Sequence, residues 1–212
     1  TKIALEWAMN TDVKKIFWVC PRVQICEGLF KDLQAAEYLP NTKLEICTGE
    51  NKHILTDGNA LETQDGEEFS GDIVITTIDQ IVNSITTHRN VTTLVSFMDA
   101  HVVFDEYHEY INMPAFNLLF AELVDCKKRQ QIEDETLPNT LLVSATPNPL
   151  FVQDFLEINA RDIEGIMSFN ESRYKIDFVE YDDKKEDDSN PLFQTQPDNT
   201  IVISNTAITA QK

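Results

Sequence analysis

Residues 102–108 of the chain, VVFDEYH, form a short apolar run followed by two adjacent carboxylates and a histidine. Continuous Val and Phe positions are typical of a strand that is buried on both faces, as in a parallel sheet. Asp105 and Glu106 then follow the carboxyl end of that strand, where open α/β sheets bind their ligands. In a nucleotide-hydrolysing site, the first acid holds Mg²⁺ and the second orients the attacking water. At this point a solvated acidic turn after a core strand remains an alternative.

A second apolar run, residues 141–147, reads LLVSATP and ends in small hydroxylated side chains. These residues also follow a predicted buried strand, so Ser144 and Thr146 are expected at the same edge of the sheet. Both can hydrogen-bond to the acidic motif or to its water, and so relay the state of a bound nucleotide. A Ser-Ala-Thr turn is common by itself, and it becomes specific because it comes one helix length after residues 102–108.

Together these residues resemble the DExH-box helicases of superfamily 2. Residues 105–108 match motif II (Walker B) and residues 144–146 match motif III. Three earlier segments, each after an apolar strand, match motifs Ia, Ib and Thr-x-Asp-Gln in the family's order; they are residues 19–22, 47–50 and 75–80. Such loops hold a phosphodiester backbone without reading its bases. The resemblance implies a nucleic-acid-binding set of Pro21, Arg22, Thr48, Gly49, Thr77 and Asp79.

The same resemblance implies an ATPase site with Mg²⁺, in a cleft between two RecA-like domains. Asp105 is expected to hold the metal, Glu106 to orient the water, and His108 to couple the site to the second domain. Ser144 and Thr146 are expected to link hydrolysis to movement.

Within the superfamily, the chain is most similar to the CRISPR-associated helicase–nuclease of type I interference systems. The residues that carry this similarity are 105–110 (DEYHEY), 144–147 (SATP), 201–207 (IVISNTA), Ala210 and Gln211. The resemblance implies a cytoplasmic motor that acts on single-stranded DNA, is recruited by an RNA-guided surveillance complex and helps to degrade invading DNA. The chain has no His-Asp dipeptide, so we expect the accompanying nuclease to lie outside it.

Two other interpretations stay open. One is a different superfamily 2 enzyme, such as a viral RNA helicase or a restriction-type translocase. The other is a degenerate RecA-like domain that serves only as a binding platform. The intact Asp105 and Glu106 argue against the platform, whereas translocation direction and the preference for DNA over RNA are left undecided by the sequence.

The sequence contains no G-x-x-x-x-G-K-[ST] phosphate loop, although the family requires one. Residues 1–8, TKIALEWA, nevertheless resemble the helix that follows such a loop. Thr1 would then be the last residue of the loop, contacting the nucleotide and ligating Mg²⁺. We therefore expect the chain to be a fragment that does not hydrolyse ATP by itself.

The pattern of apolar runs predicts an α/β fold, a RecA-like parallel sheet with helices on both faces. The predicted strands are 16–19, 44–47, 73–76, 102–104, 141–143 and 176–181, and the predicted helices are 24–39, 78–86 and 114–128. In the last helix, a stripe of Phe116, Leu119, Phe120 and Leu123 is expected to face the core. Residues 57–71 are expected to form a polar surface loop. The predicted domains are 1–181, an acidic linker 182–199, and the start of a second RecA-like domain, 200–212.

The composition constrains the partners and the cellular compartment. The formal net charge is −19, concentrated at 57–72, 133–135 and 180–188, which favours solvated loops and a linker. This balance predicts weak nucleic-acid binding by the chain alone. The four cysteines show no C-x-x-C pairing and are expected to be free thiols in a reducing compartment. No apolar run is long enough to span a membrane.

Overall fold

The structure, a computed structural model, describes residues 2–10, 14–35, 39, 41–56, 59–61, 68–86, 91–134 and 139–158. Four predicted features lie outside these residues: Thr1, the predicted strand 176–181, the predicted linker 182–199 and the predicted start of a second domain, 200–212. The described residues therefore belong to the predicted first domain, and they include motifs Ia, Ib, II and III.

Helices and strands alternate along most of the described chain. The helices are α1 Lys2–Met9, α2 Val23–Gln34, α3 Ile78–Thr86, α4 Val91–Asp99, α5 Tyr107–Ile111 and α6 Asn117–Glu133, followed by a π-helical segment, Leu150–Phe155. The strands are β1 Ile16–Cys20, β2 Lys43–Cys47, β3 Lys52–Thr56, β4 Asn59–Leu61, β5 Ile73–Thr77, β6 His101–Phe104 and β7 Thr140–Leu142. Five of the six predicted strands are therefore confirmed within one or two residues at each end. Helix α2 ends five residues earlier than predicted.

The strands form one seven-stranded sheet in the order β4-β3-β2-β5-β1-β6-β7. The last five strands in that order are parallel, as predicted, and they are β2, β5, β1, β6 and β7. Their carboxyl ends meet at one edge of the sheet. The antiparallel strands β3 and β4 extend the sheet on one side and were not predicted. Because antiparallel neighbours need only a tight turn, the chain can leave β2 and return as β3 without a crossover helix.

Helices cover both faces of the sheet, which confirms the α/β RecA-like fold. Side chains alternate along β1, so that Phe17 and Val19 contact one core while Trp18 and Cys20 contact the other. Buried residues of α3, α4, α5 and α6 pack in the first core, and buried residues of α1 and α2 pack in the second. Both faces of the central strands are therefore buried from solvent, as their continuous apolar sequences require.

Helix α6 buries part of the predicted stripe. Leu119 is exposed, and Phe116 is only partly buried, immediately before the helix. The buried positions are Phe120, Leu123, Val124 and Lys127. The prediction is therefore confirmed for Phe120 and Leu123 and wrong for Leu119, because the buried side of the helix continues through Val124 and Lys127 instead.

Lys127 is fully buried because its amino group completes the end of α4. Its Nζ atom donates hydrogen bonds to the carbonyl oxygens of Met98 and Ala100, the latter at 2.7 Å. Met98 lies in the last turn of α4 and Ala100 directly follows the helix, so the lysine supplies a donor where the carbonyls of the helix end lack one. Burial of the amino group lowers the pKa of Lys127 to about 8.

The prediction of a surface loop at residues 57–71 is wrong in two places. Residues 59–61 form β4, and Phe69 is only 3% exposed. Glu45 of β2 holds this segment, because its carboxylate accepts hydrogen bonds of 2.7 Å from the backbone N–H groups of Phe69 and Gly71. A Cβ atom at Gly71 would lie 2.7 Å from Glu45 Cβ, so only glycine fits there.

The four cysteines are free thiols, and three of them are buried. Cys20, Cys26 and Cys47 are buried free thiols, as predicted, and Cys126 is an exposed free thiol. Burial raises the pKa of Cys47 to about 12, so this thiol stays protonated at neutral pH.

Within the ranges that the structure describes, no helix is both long and apolar enough to cross a membrane.

Candidate active site

The acidic motif lies at the carboxyl edge of the sheet, directly after β6. The backbone N–H of Asp105 donates to Val19 O at 2.9 Å, which continues the pairing with β1 by one residue beyond the strand. The Trp18 indole N–H also donates to Asp105 Oδ2 at 3.4 Å. Asp105 is half-buried, so its carboxylate is held by the sheet yet can still be reached from the edge.

Glu106 has an unfavourable backbone conformation, with φ 48° and ψ 47° in the left-handed region. For a residue with a Cβ atom this conformation costs about 1–2 kcal/mol. Its Oε2 atom is buried and has no hydrogen-bond partner among the described residues, while His108 Nδ1 lies 3.3 Å away. Strain of this kind often occurs at functional sites, because a reactive group must be held in one orientation.

His108 and Ser144 join the loops that follow β6 and β7. His108 Nδ1 lies 2.8 Å from Ser144 Oγ, and Ser144 Oγ also accepts a hydrogen bond of 3.0 Å from the backbone N–H of Thr146. The Thr146 side chain is exposed. Four of the five predicted catalytic residues that follow β6 and β7 therefore form one connected group, in which Glu106 contacts His108, His108 contacts Ser144, and Ser144 contacts the backbone of Thr146.

Two tyrosines of α5, which sequence reasoning missed, fix this group in the fold. Tyr110 Oη donates to Val19 O at 2.9 Å, and Tyr107 Oη accepts a hydrogen bond of 3.0 Å from the backbone N–H of Asn148. Burial raises the pKa of Tyr110, so its hydroxyl remains a donor. The signal was present in the sequence, since two aromatic residues three positions apart lie on one face of a helix.

The predicted nucleic-acid-binding residues lie at the same edge, after β1, β2 and β5. After β1, Pro21 is buried and Arg22 is exposed, but the guanidinium of Arg22 is already paired. Its Nε and Nη2 atoms donate to Glu109 Oε2 of α5 at 3.2 and 3.0 Å. No sequence pattern indicated this pair, which joins residues 87 positions apart.

Thr48 and Gly49 form the turn between β2 and β3. Thr48 is completely buried, and its Oγ1 atom accepts hydrogen bonds from the backbone N–H groups of Glu50 and Asn51 at 3.3 and 3.0 Å. Gly49 is exposed. In this conformation the threonine hydroxyl stabilises the turn, and the backbone of Gly49 is the part that a ligand could reach.

Thr77 is the last residue of β5 and Asp79 follows it, beside that turn. Thr77 is 2% exposed, and its Oγ1 atom has no hydrogen-bond partner within the described part of the chain. Asp79, in the first turn of α3, accepts a hydrogen bond of 3.1 Å from Gln80 Nε2. An unsatisfied buried hydroxyl costs free energy, which a ligand atom that reached it would recover.

The donor chemistry at this edge suits Mg²⁺. Magnesium is usually bound through one or two protein carboxylates, with water and substrate phosphates completing its ligands. Asp105 supplies such a carboxylate at a position that can be reached from the edge, whereas no group of three or more His, Cys, Asp or Glu ligands occurs in the described ranges. A cation held mainly by the nucleotide's own phosphates therefore fits these residues better than a closed protein cage.

The model for the DEAD/DEAH box helicase family matches residues 1–155 of the 212 residues, a stretch that includes every candidate site residue from Thr1 to Thr146. No curated protein sequence matches the chain.

Proposed function

The chain belongs to the DEAD/DEAH box helicase family, and on that premise we propose that it is the first motor domain of an ATP-dependent DNA helicase. ATP-dependent unwinding of nucleic acid is the general activity of the family. The observation that best supports the proposal is the connected group of Glu106, His108 and Ser144, which lies beside Asp105 at the carboxyl edge of the sheet.

In the proposed reaction, the two carboxylates after β6 have different roles. Asp105 would hold Mg²⁺, which when bound neutralises charge on the phosphates of ATP. Glu106 orients a water molecule and accepts its proton as the water oxygen attacks the γ-phosphoryl group, while ADP leaves with the bridging oxygen. The strained backbone of Glu106 keeps its carboxylate in the site before the nucleotide binds.

His108 and Ser144 would carry the outcome of hydrolysis to the rest of the motor. The contact between His108 Nδ1 and Ser144 Oγ spans the loops after two neighbouring strands. A change in the position of Glu106 therefore reaches Ser144 through two contacts and the backbone of Thr146 through a third. In the proposed mechanism, Thr1 would add a hydroxyl ligand to Mg²⁺ and a contact to ATP.

We further propose that the nucleic acid is single-stranded DNA and that the protein acts in a type I CRISPR interference system in the cytoplasm. Support comes from the sequence patterns at 105–110 and 144–147, together with the pattern at 201–211, which lies outside the described residues. The partner would be an RNA-guided surveillance complex that exposes a displaced DNA strand. In this proposal the loops that contain Arg22, Gly49 and Thr77 hold the backbone of that strand.

A Glu106→Gln substitution in the full-length protein tests the hydrolytic site. The amide has nearly the same shape as the carboxylate but cannot accept the proton of water, so ATP turnover should fall by about a hundredfold or more. ATP affinity, measured with a fluorescent nucleotide, should stay within a few-fold of the wild type. Glu122→Gln, at an exposed position of α6, is the matched control. Wild-type turnover in the Glu106 variant would show that the site has been assigned to the wrong residue.

The choice of nucleic acid needs a separate experiment. ATP hydrolysis by the full-length protein should be stimulated by a single-stranded DNA oligonucleotide and by a surveillance complex that holds an open DNA strand. An RNA oligonucleotide of the same sequence should stimulate it less. Stronger stimulation by RNA would favour an RNA helicase over the CRISPR assignment, and it would leave the family membership unchanged.

A further inference from the structure

Arg22 is the exposed cation of the predicted strand-holding loops, yet in this structure its guanidinium contacts a carboxylate of the same chain. Both its Nε and its Nη2 atoms donate to a single oxygen of Glu109. The Arg22 side chain is 65% exposed and the Glu109 side chain 26% exposed. The pair therefore lies at the surface, where a phosphate group can approach the arginine.

The ion pair is weak enough for a phosphate group to replace Glu109 at the Arg22 guanidinium. Ion pairs between exposed side chains contribute little net free energy, because water and salt screen both charges. The contact with Glu109 uses one carboxylate oxygen, so it lacks the two parallel bonds of the strongest arginine pairs. A phosphate of a bound strand offers two oxygens in the geometry that arginine recognises best. Phosphate can thus displace Glu109 at little cost.

The position of Glu109 connects this exchange to the hydrolytic site. Glu109 belongs to the five-residue helix α5, and its backbone N–H donates to Glu106 O at 2.9 Å. His108 is its neighbour in the same helix. Arg22 lies between the end of β1 and the start of α2. The ion pair therefore links the start of α2 to α5, the helix that follows the acidic motif.

We propose that Glu109 is a positioning residue that occupies Arg22 when no nucleic acid is bound and is displaced by a backbone phosphate. This inference rests on the proposed function, since it takes Arg22 as a phosphate contact. Displacement removes the side-chain tie between α5 and Arg22, while Tyr107 and Tyr110 keep α5 on the sheet. Because the backbone N–H of Glu109 is bonded to Glu106 O, loss of the tie on Glu109 also releases one constraint on the segment that carries Glu106 and His108.

A double-mutant cycle in the full-length protein tests the proposal, with a fluorescent oligothymidine as the probe. Glu109→Gln should bind the probe about fivefold more tightly than the wild type, because a competing pair of surface strength is removed. Arg22→Ala should bind more weakly. In the Arg22→Ala background, the Glu109→Gln substitution should have no further effect.

Asp125→Asn is the matched control, because it removes one negative charge and one exposed pair, with Arg129 of α6, away from the site. It should leave oligothymidine affinity close to that of the wild type. As a second readout, basal ATP turnover without DNA should rise in Glu109→Gln at unchanged KM for ATP, and the stimulation ratio should fall. A residue that merely braced the fold would not raise basal turnover.

The remaining outcomes distinguish the failure of this inference from the failure of the proposed function. Equal tightening by Glu109→Gln in the Arg22→Ala background, or by Asp125→Asn, would show a general charge effect and overturn the proposal. Weaker binding by Glu109→Gln would show that the pair supports the binding surface, and unchanged basal turnover would overturn the coupling to hydrolysis. If the wild type itself neither binds the probe nor is stimulated by it, the proposed DNA-motor function fails. If it binds, Arg22→Ala weakens binding and Glu109→Gln has no effect, only this inference fails.

Discussion

Glu45 and Glu106 are both carboxylates beside the central sheet, but their surroundings are opposite. Glu45 is 2% exposed, lies within β2 and accepts hydrogen bonds from two backbone N–H groups. The Glu106 side chain is 37% exposed, its backbone is in the left-handed region, and its Oε2 atom lacks a hydrogen-bond partner among the described residues. One carboxylate accepts backbone hydrogen bonds and is unstrained, whereas the other has a strained backbone and, at Oε2, only His108 Nδ1 at 3.3 Å among the described residues.

This difference separates a structural acid from a reactive one. A buried carboxylate with bonded oxygens stabilises the segment whose N–H groups it accepts, and it has little capacity left for a ligand. A carboxylate that is held in a strained conformation with an unbonded oxygen costs free energy in the absence of ligand, and can recover part of that cost when water or a metal ion arrives. Substitutions at the two residues should therefore have opposite effects on stability.

Removing the structural acid should have the largest effect on stability. Glu45→Ala leaves the N–H groups of Phe69 and Gly71 without their acceptor, so the free energy of unfolding should fall by about 3 kcal/mol. Urea denaturation would measure this change, with Glu122→Ala at an exposed position of α6 as the control. A loss no greater than that of the control would mean that Glu45 does not hold the segment before β5.

The parallel core of the sheet could be predicted from sequence because its signal is local. Buried parallel strands have continuous apolar sequences, and this pattern located β1, β2, β5, β6 and β7. Strands β3 and β4 were missed because they lie at the side of the sheet, where the apolar run is short. The polar composition of residues 57–71 concealed Phe69, whose burial depends on hydrogen bonds to a strand 24 residues earlier.

At the candidate site, the sequence indicated which residues come together but not how they are paired. The order of the motifs after successive parallel strands was enough to bring Asp105, Ser144 and Arg22 to one edge. Three features of the side chains were not indicated by the sequence. They are the pairing of Arg22 with Glu109, the contact of His108 with Ser144 and the burial of the Thr48 hydroxyl. They depend on tertiary packing between distant segments, for which a single sequence has no periodic signal.

Relieving the strain at the reactive acid should have a smaller effect of opposite sign. Glycine adopts the left-handed conformation without a Cβ clash, so Glu106→Gly should raise the free energy of unfolding by about 1 kcal/mol. ATP turnover should be lost in the same variant. Glu157 also has a positive φ, of 54°, and is exposed.

Glu157→Gly is therefore the control for strain relief away from the site. It should stabilise the protein to a similar extent and leave turnover unchanged. If Glu106→Gly proved destabilising while Glu157→Gly was stabilising, the contacts of the Glu106 side chain would outweigh its backbone strain, and the contrast with Glu45 would weaken.

The smallest expected effect is a pH dependence that comes from Glu45. Burial raises its pKa above the usual value for glutamate, although the N–H groups of Gly71 and Phe69 and the charge of Lys15 oppose this. The folded state therefore binds the proton more tightly than the unfolded state, and stability falls as the pH rises from about 4.5 through the raised pKa. The stability difference between the wild type and Glu45→Gln should shrink over that range. A difference that widened would mean that the two N–H groups lower the pKa overall.

The contact between Trp18 and Asp105 has a spectroscopic consequence. Trp18 is 2% exposed and its indole N–H points at the acid that is expected to hold the metal, while the other tryptophan, Trp7, packs on His101 with ring centroids 5.0 Å apart. Indole emission shifts with the electric field along the ring, and a divalent cation at Asp105 would reverse the sign of the nearest charge. The protein thus contains an intrinsic fluorophore next to its candidate metal ligand, and a Trp7→Phe background would separate its emission from that of the second indole.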